Sequence, residues 1–195
     1  MDQSDKHNSP PLTEILKTIP DVLGVRLNEK LAYSVLEKDG DIEIRHYPKF
    51  ILAQITENGP REEALRNGFQ HLADYIFGEK IAMTAPVFHE PKDGKWLISF
   101  TMPSKYSSVT LLQPKNSNIK IVEKEAKNAA AITYSGTNNE NLMRESEDRL
   151  QGWLSEHRIK MTSGFYCGQY DPPFAIPVMK RNEVLAKIDY TGSKQ

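Results

Sequence analysis

The stretch IEIRHYPKFILAQITENG, residues 42–59, decides the fold. Ile42, Ile44 and Tyr47 form an alternating run, Pro48 interrupts it, and Phe50 to Thr56 make a second run that ends at Gly59-Pro60. Period-two alternation marks strands, and a proline has no N–H to give a ladder. Shifted by 77 positions, Ile42, Ile44, Ile55, Thr56 and Gly59 fall on Ile119, Ile121, Ile132, Thr133 and Gly136. At a shift of 78, Ile81, Met83 and Thr84 fall on Ile159, Met161 and Thr162. Element types coincide around these matches. The spacing therefore predicts two copies of one strand-strand-helix-strand-strand unit, at about residues 33–102 and 118–189, with a groove or barrel mouth between them.

Upstream, Tyr33 and Val35 lead through Lys38-Asp39-Gly40-Asp41 into Ile42, a hairpin signature. Downstream, Arg61 to Phe77 reads as a helix closed by Gly78, with Leu65, Phe69, Leu72 and Ile76 as its core stripe. Arg66, Ala73 and Phe77 flank one side of that stripe; Ala64, His71 and Tyr75 flank the other. Lys80–Phe88 and Trp96–Thr101 read as strands, with Met83 and Val87 on one buried face. Residues 103–118, with Pro103, Pro114 and several serines, link the halves. The second copy has strands near 119–123, 129–134, 165–169 and 184–188, and a helix from about Asn138 to His157. Tyr170-Asp171-Pro172-Pro173-Phe174 cannot be helical, because consecutive prolines fix φ and remove donors. Residues 1–30 read as a polar tail plus a short helix in which Leu12, Ile15, Leu16 and Ile19 share a face and Pro20 is the stop. Residues 31–190 form the domain, and 191–195 a second tail.

Composition narrows the class. With 195 residues, 38% hydrophobic and 26% charged, the chain has the material for a sizeable core. A net charge of −1 argues against a nucleic-acid binder. No apolar run reaches the ~20 residues needed to cross a bilayer. The first residues, MDQSDKHNSPP, lack the layout of a secretory leader, so a cytoplasmic location is expected by default. Cys167 is the single cysteine, so no internal disulfide forms.

Four motifs in fixed order carry a family resemblance: Lys80-Ile81-Ala82-Met83-Thr84-Ala85-Pro86-Val87, Phe100-Thr101-Met102-Pro103, Tyr170-Asp171-Pro172-Pro173-Phe174 and Arg181-Asn182-Glu183-Val184. With Ile42-Glu43-Ile44-Arg45-His46-Tyr47 as the opening strand, the chain resembles the SOUL haem-binding protein family over about residues 33–189. The resemblance implies an α+β fold: a pseudo-two-fold repeat of ββαββ units forming an antiparallel, distorted β-barrel with helices outside. It also implies binding of haem or a related tetrapyrrole against the first helix. Carried over by position, the cofactor-binding residues are Arg66, Phe69 and Ala73, with Phe77 and His71 on the same helix. Ala73 is smaller than the family's residue, and Asp74 stands where the family has a basic one.

Read from the residues alone, the chemistry stays open. His7, His46, His71, His89 and His157 form no HxxxH pair, and no CxxC accompanies Cys167. A surface or hydrogen-bonded histidine outranks an axial iron ligand for each; His71 ranks first and His46 second as metal candidates. Met83, Met102, Met161 and Met179 read as core filler. Asp171 and Glu183 read as loop carboxylates accepting backbone N–H bonds. No catalytic residue is assigned. The leading reading is a non-enzymatic carrier or buffer of haem or another tetrapyrrole, a small amphipathic ligand. The alternatives are an effector-binding domain resembling gyrase-inhibitory-like proteins, or an enzyme acting on a hydrophobic ligand.

Overall fold

A computed structural model describes residues 29–136, 140–171 and 180–192. The expected N-terminal helix, Pro172-Pro173-Phe174 and Met179 lie outside these residues. In chain order the elements are β1 (Glu29–Lys30), β2 (Ser34–Asp39), β3 (Ile42–Tyr47), β4 (Phe50–Glu57), α1 (Arg61–Gly78), β5 (Thr84–Ala85), β6 (Val87–Lys92), β7 (Lys95–Thr101), β8 (Lys120–Lys124), β9 (Lys127–Ser135), α2 (Glu140–Glu156), β10 (Lys160–Gln169) and β11 (Arg181–Asp189). Nine strands form one antiparallel sheet in the order β2-β3-β9-β11-β10-β6-β7-β4-β8, while β1 and β5 pair in parallel. Among the described residues, no helix is long and apolar enough to cross a membrane.

Register fixes the faces. Cys167 lies opposite His89, and Val87 opposite Phe100, so Cys167, His89, Val87 and Phe100 share one face. Both helices pack there. α1 covers Ile51, Ala53 and Ile55 of β4 with Ile98 and Phe100 of β7. α2 lays Leu150, Trp153 and Leu154 on Ile44, Ile132, Cys167 and Val184. The opposite face carries a third cluster, with Tyr47, Phe50, Leu52, Phe88, Tyr166 and Leu185, to which no described helical residue belongs. This is the inner, concave face. β3 and β4 stand six places apart in the strand order, roughly 29 Å if the sheet were flat. Only Pro48 and Lys49 join them, a reach of at most ~11 Å from Tyr47 to Phe50. The sheet must curl back on itself, and the Tyr47 and Phe50 rings meet at 6.3 Å.

The expected barrel does not close. β3 is already paired on both sides, by β2 and β9, and β4 on both sides, by β7 and β8. The edges β2 and β8 therefore have no ladder to each other among the described residues. Both edges are charged, with Glu37, Lys38 and Asp39 on one and Lys120, Glu123 and Lys124 on the other. The 77-to-78 offset is not carried through either. Met161 pairs with Ile188 inside β10, but Met83 lies ahead of β5, outside any strand. The expected strand from Lys80 to Phe88 is broken: Lys80 has φ 54°, residues 81–83 are irregular, and only β5 and β6 are extended. Met83 is nonetheless a core residue.

The core stripe of α1 also differs. Its buried residues are Ala64, Gly68, Leu72, Ala73, Tyr75 and Ile76, while Leu65 and Phe69 are half-buried. The buried arc is turned toward Ala64 and Gly68 because small side chains admit the sheet closely. A Cβ on Gly68 would stand 2.7 Å from Ile98 Cδ1 and 2.9 Å from Cγ1, and Ile98 is itself 1% exposed. Gly68→Val is expected to destabilise by about 1–3 kcal/mol through overpacking, read as a lowered urea midpoint. An unchanged midpoint would mean that helix and sheet do not meet at this residue.

Candidate functional site

α1 starts at Pro60 without a side-chain cap, and Glu62 and Glu63 favour its positive end. Its C-terminus is tied back by the Ile81 N–H donating to the Ile76 carbonyl at 2.7 Å. On this helix Arg66 is exposed, Phe69 is half-buried with its ring edge-on to Phe100 at 5.1 Å, and Phe77 is half-buried. Ala73 is 1% exposed, so it packs the core and presents no surface of its own. Arg66 and Phe77 lie within ~20° of each other around the axis and about 16 Å apart along it, with Phe69 beside them. His71 is exposed on the other flank, its Nδ1 2.9 Å from Glu57 Oε1. The helix thus joins Arg66, Phe69 and Phe77 and separates His71 from them. His46 is exposed on β3, its Nδ1 2.8 Å from Asn128 Oδ1, far along the strand order from β4 and β7, on which α1 sits. Among the described residues, no group of three or more His, Cys, Asp or Glu is arranged to hold a metal ion.

The inner face carries a second candidate. At one end, Glu183 is fully buried and accepts from Arg45 Nη1 and Nη2 at 2.8 and 2.9 Å, and from Arg181 Nε at 3.0 Å. Burial opposes the Arg45 charge, but Glu183 and Tyr47 outweigh it and hold the pKa above the ordinary arginine value. Arg45 lies over the Tyr33 ring and Arg181 over the Tyr170 ring, at 4.2 and 4.3 Å. Glu183 is thus no loop carboxylate but a buried ion-pair member on β11. At the other end, a groove of about 240 Å³ opens between Phe50, Phe88, Tyr166 and Lys127. Its floor is Leu52 and Leu97, with Gln54 Nε2 donating to Ser99 Oγ at 2.8 Å. A groove between the halves is expected from the sequence, but none of these lining residues is singled out there. Its one sequence signal is the double burial of β4, an unbroken apolar run at Phe50–Ala53.

The family profile described as SOUL heme-binding protein matches residues 28–187. The chain belongs to this family. No curated protein matches it by sequence. Among solved structures, the C-terminal domain of EcmrR is similar, with a TM-score of 0.57 at 13% identity, covering 80% of this chain and 98% of that one. EcmrR in a cryo-EM DNA complex gives 0.60 at 10% identity, covering 91% of this chain and 65% of that one. A hydrolase from Listeria innocua gives 0.53 at 11% identity, covering 78% and 94%. At these identities the likeness is one of fold.

One histidine has consequences for stability. His89, 2% exposed beside Trp96, has its pKa pushed down to about 3 by burial and then by the Arg61 charge. It is neutral when folded, whereas the unfolded chain binds a proton near pH 6.5. The unfolded state therefore holds more protons between pH 6.5 and 3, and stability falls as pH drops through that window, by up to about 1.4 kcal/mol per unit. His89→Phe is expected to flatten this slope in urea unfolding at pH 7, 6 and 5. Equal slopes in both proteins would mean that His89 titrates normally.

Proposed function

We propose that the protein binds haem or a related tetrapyrrole without transforming it, as a carrier or buffer, within residues 31–190. The observation that carries this reading is family membership over residues 28–187, combined with the chemistry of the α1 flank. Phe69 and Phe77 offer partly exposed apolar surface beside the exposed cation of Arg66. A flat apolar macrocycle with carboxylate arms needs these two features side by side, and an arginine fork suits a carboxylate in geometry and charge. Haem, when bound, supplies its own iron chemistry; the chain's part is to hold the carboxylates at Arg66 and shield one macrocycle face with Phe69 and Phe77. His71 has Nδ1 engaged by Glu57, which orients the ring on the far flank. A two-fold repeat beneath the fold belongs to the same proposal. It is supported by the palindromic strand order, in which β3 and β8 each pair across to the other half.

A second reading, a small-molecule effector-binding domain, is favoured by the groove on the inner face. A haemin titration separates the two. The tetrapyrrole reading expects a Soret shift that saturates at one equivalent. Arg66→Glu is expected to weaken it about tenfold or more, as loss of a charge-assisted bond does. His71→Ala is expected to leave the band position unchanged. No Soret shift, or a dissociation constant indifferent to Arg66→Glu, would overturn the assignment to this flank.

A further inference from the structure

The groove on the inner face contains a cation without a counter-ion. Lys127 opens β9, half-buried, with its ammonium 4.8 Å from the Tyr166 ring centroid and 5.5 Å from that of Phe50. It donates to the Tyr166 hydroxyl at 3.2 Å. Among the described residues, no carboxylate comes within 4.0 Å of it. The charges facing it are Lys124 from β8, Lys187 from β11 and Glu90 from β6. Glu125, also on the rim, is 3.7 Å from Lys49, and Glu123 pairs with the same lysine. Tyr166 is held neutral by burial. Three lysines, Lys124, Lys127 and Lys187, thus line the groove with two carboxylates, Glu90 and Glu125, and the second of these is drawn to Lys49. Burial first, then Lys124, push the Lys127 pKa down to about 8; Glu90 pulls the other way, and Lys187 adds a smaller push downward.

We propose that this groove binds a small amphipathic anion, an aromatic carboxylate or sulfonate of one or two rings, with its charge on Lys127 and its body between Phe50, Phe88 and Tyr166. The charge balance selects the sign. The aromatic walls select a flat apolar body, and Phe88 and Tyr166 already stand edge-to-face at 5.6 Å. A volume of about 240 Å³ sets the size, below that of pockets that enclose drug-sized ligands. The Gln54–Ser99 pair on the floor supplies a polar contact for one ring substituent. The site is on the opposite face of the sheet from α1, so the proposal is independent of the tetrapyrrole reading.

The test uses the full chain, calorimetric titration with naphthalene-2-sulfonate, and naphthalen-2-ylmethylammonium as a cation of matched body. The sulfonate is expected to bind at one equivalent, and the cation at least about tenfold more weakly. Lys127→Met should weaken the sulfonate about tenfold or more, as removal of a charged hydrogen-bond donor does. Lys127→Arg should retain it, and Arg66→Glu should leave it unchanged. The sulfonate keeps its charge at all relevant pH values, so wild-type affinity should fall as pH rises through about 8 and Lys127 loses its proton. Lys127→Arg should show a flat profile, because arginine stays protonated. If Lys127→Met fails to fold by circular dichroism, the paired pH profiles decide. Equal binding of the cation, Lys127→Met binding like wild type, or the same alkaline fall in Lys127→Arg would overturn the proposal. Loss on Arg66→Glu would move the anion to α1.

Discussion

Two residues must carry the chain from the second strand of the sheet to the eighth. Pro48 and Lys49 are all that separate β3 from β4, yet six strand spacings lie between them in the order. No flat or gently twisted sheet satisfies that distance. The sheet has to curl until its β3 and β4 ends touch, and the curl divides the molecule into an outer face that two helices cover and an inner face they cannot reach. Pro48 suits the junction, since a corner there needs no ladder donor. With β3 and β4 each paired on both sides, only β2 and β8 could close the curl; among the described residues they form no ladder with each other, and the inner face stays a groove.

That inner face is filled unevenly, and charge explains where. At the β3–β11 end, Glu183 takes Arg45 and Arg181 at once, with the tyrosines Tyr33, Tyr47 and Tyr170 around them. A buried carboxylate is costly unless fully paired, and the two guanidinium forks fill its lone pairs. Breaking such a pair from one side leaves an uncompensated charge, so the network pins β3 to β11 through the intervening β9 and makes that end solid. Three cations on this face lie against aromatic rings: Arg45 on Tyr33, Arg181 on Tyr170 and Lys127 on Tyr166. Two of them share Glu183. The third stands where the packing opens, which is why the groove and the unneutralised charge coincide.

Much of this was legible. The hairpin at Lys38–Asp41, both helices, and the strands holding Ile55 and Ile132 follow from alternation and helical spacing, and four ordered motifs sufficed to identify the family. What was not legible depended on partners distant in sequence. The curl, and hence the failure to close, is set by which strands already have two neighbours, and no local pattern states that. The rotation of the α1 stripe came from Gly68 meeting Ile98, a contact invisible to hydrophobic periodicity because glycine has no side chain to count. Ala73 looks marginal by angle, yet it is 1% exposed and belongs to the core that α1 shares with β4 and β7. Glu183 looked like a loop acid because Pro172-Pro173 lies nearby, whereas it occupies a mid-sheet position whose partner is 138 residues away. Lys127 carries no signal of its own in the sequence, and only the aromatic rings brought by β4 and β10 single it out.

β4 shows how one strand serves both candidate surfaces. Ile51, Ala53 and Ile55 point outward into the α1 core, and Phe50, Leu52 and Gln54 point inward to the groove. Burial on both faces removes the alternation that would mark an exposed side, so the run reads as uniformly apolar as far as Ala53. A one-residue slip against β7 would exchange the two sets. It would drive Gln54 into the α1 core and Ile98's neighbours into the groove. Register here is held from both sides, by Ile55 opposite Ile98 on β7 and by Leu52 opposite Val122 on β8. The same fixed register that keeps Arg66 and its aromatic neighbours above the outer face keeps Gln54 and Ser99 on the floor of the inner one. The two surfaces therefore share one scaffold without sharing a single side chain, and a ligand on either need not alter the chemistry of the other.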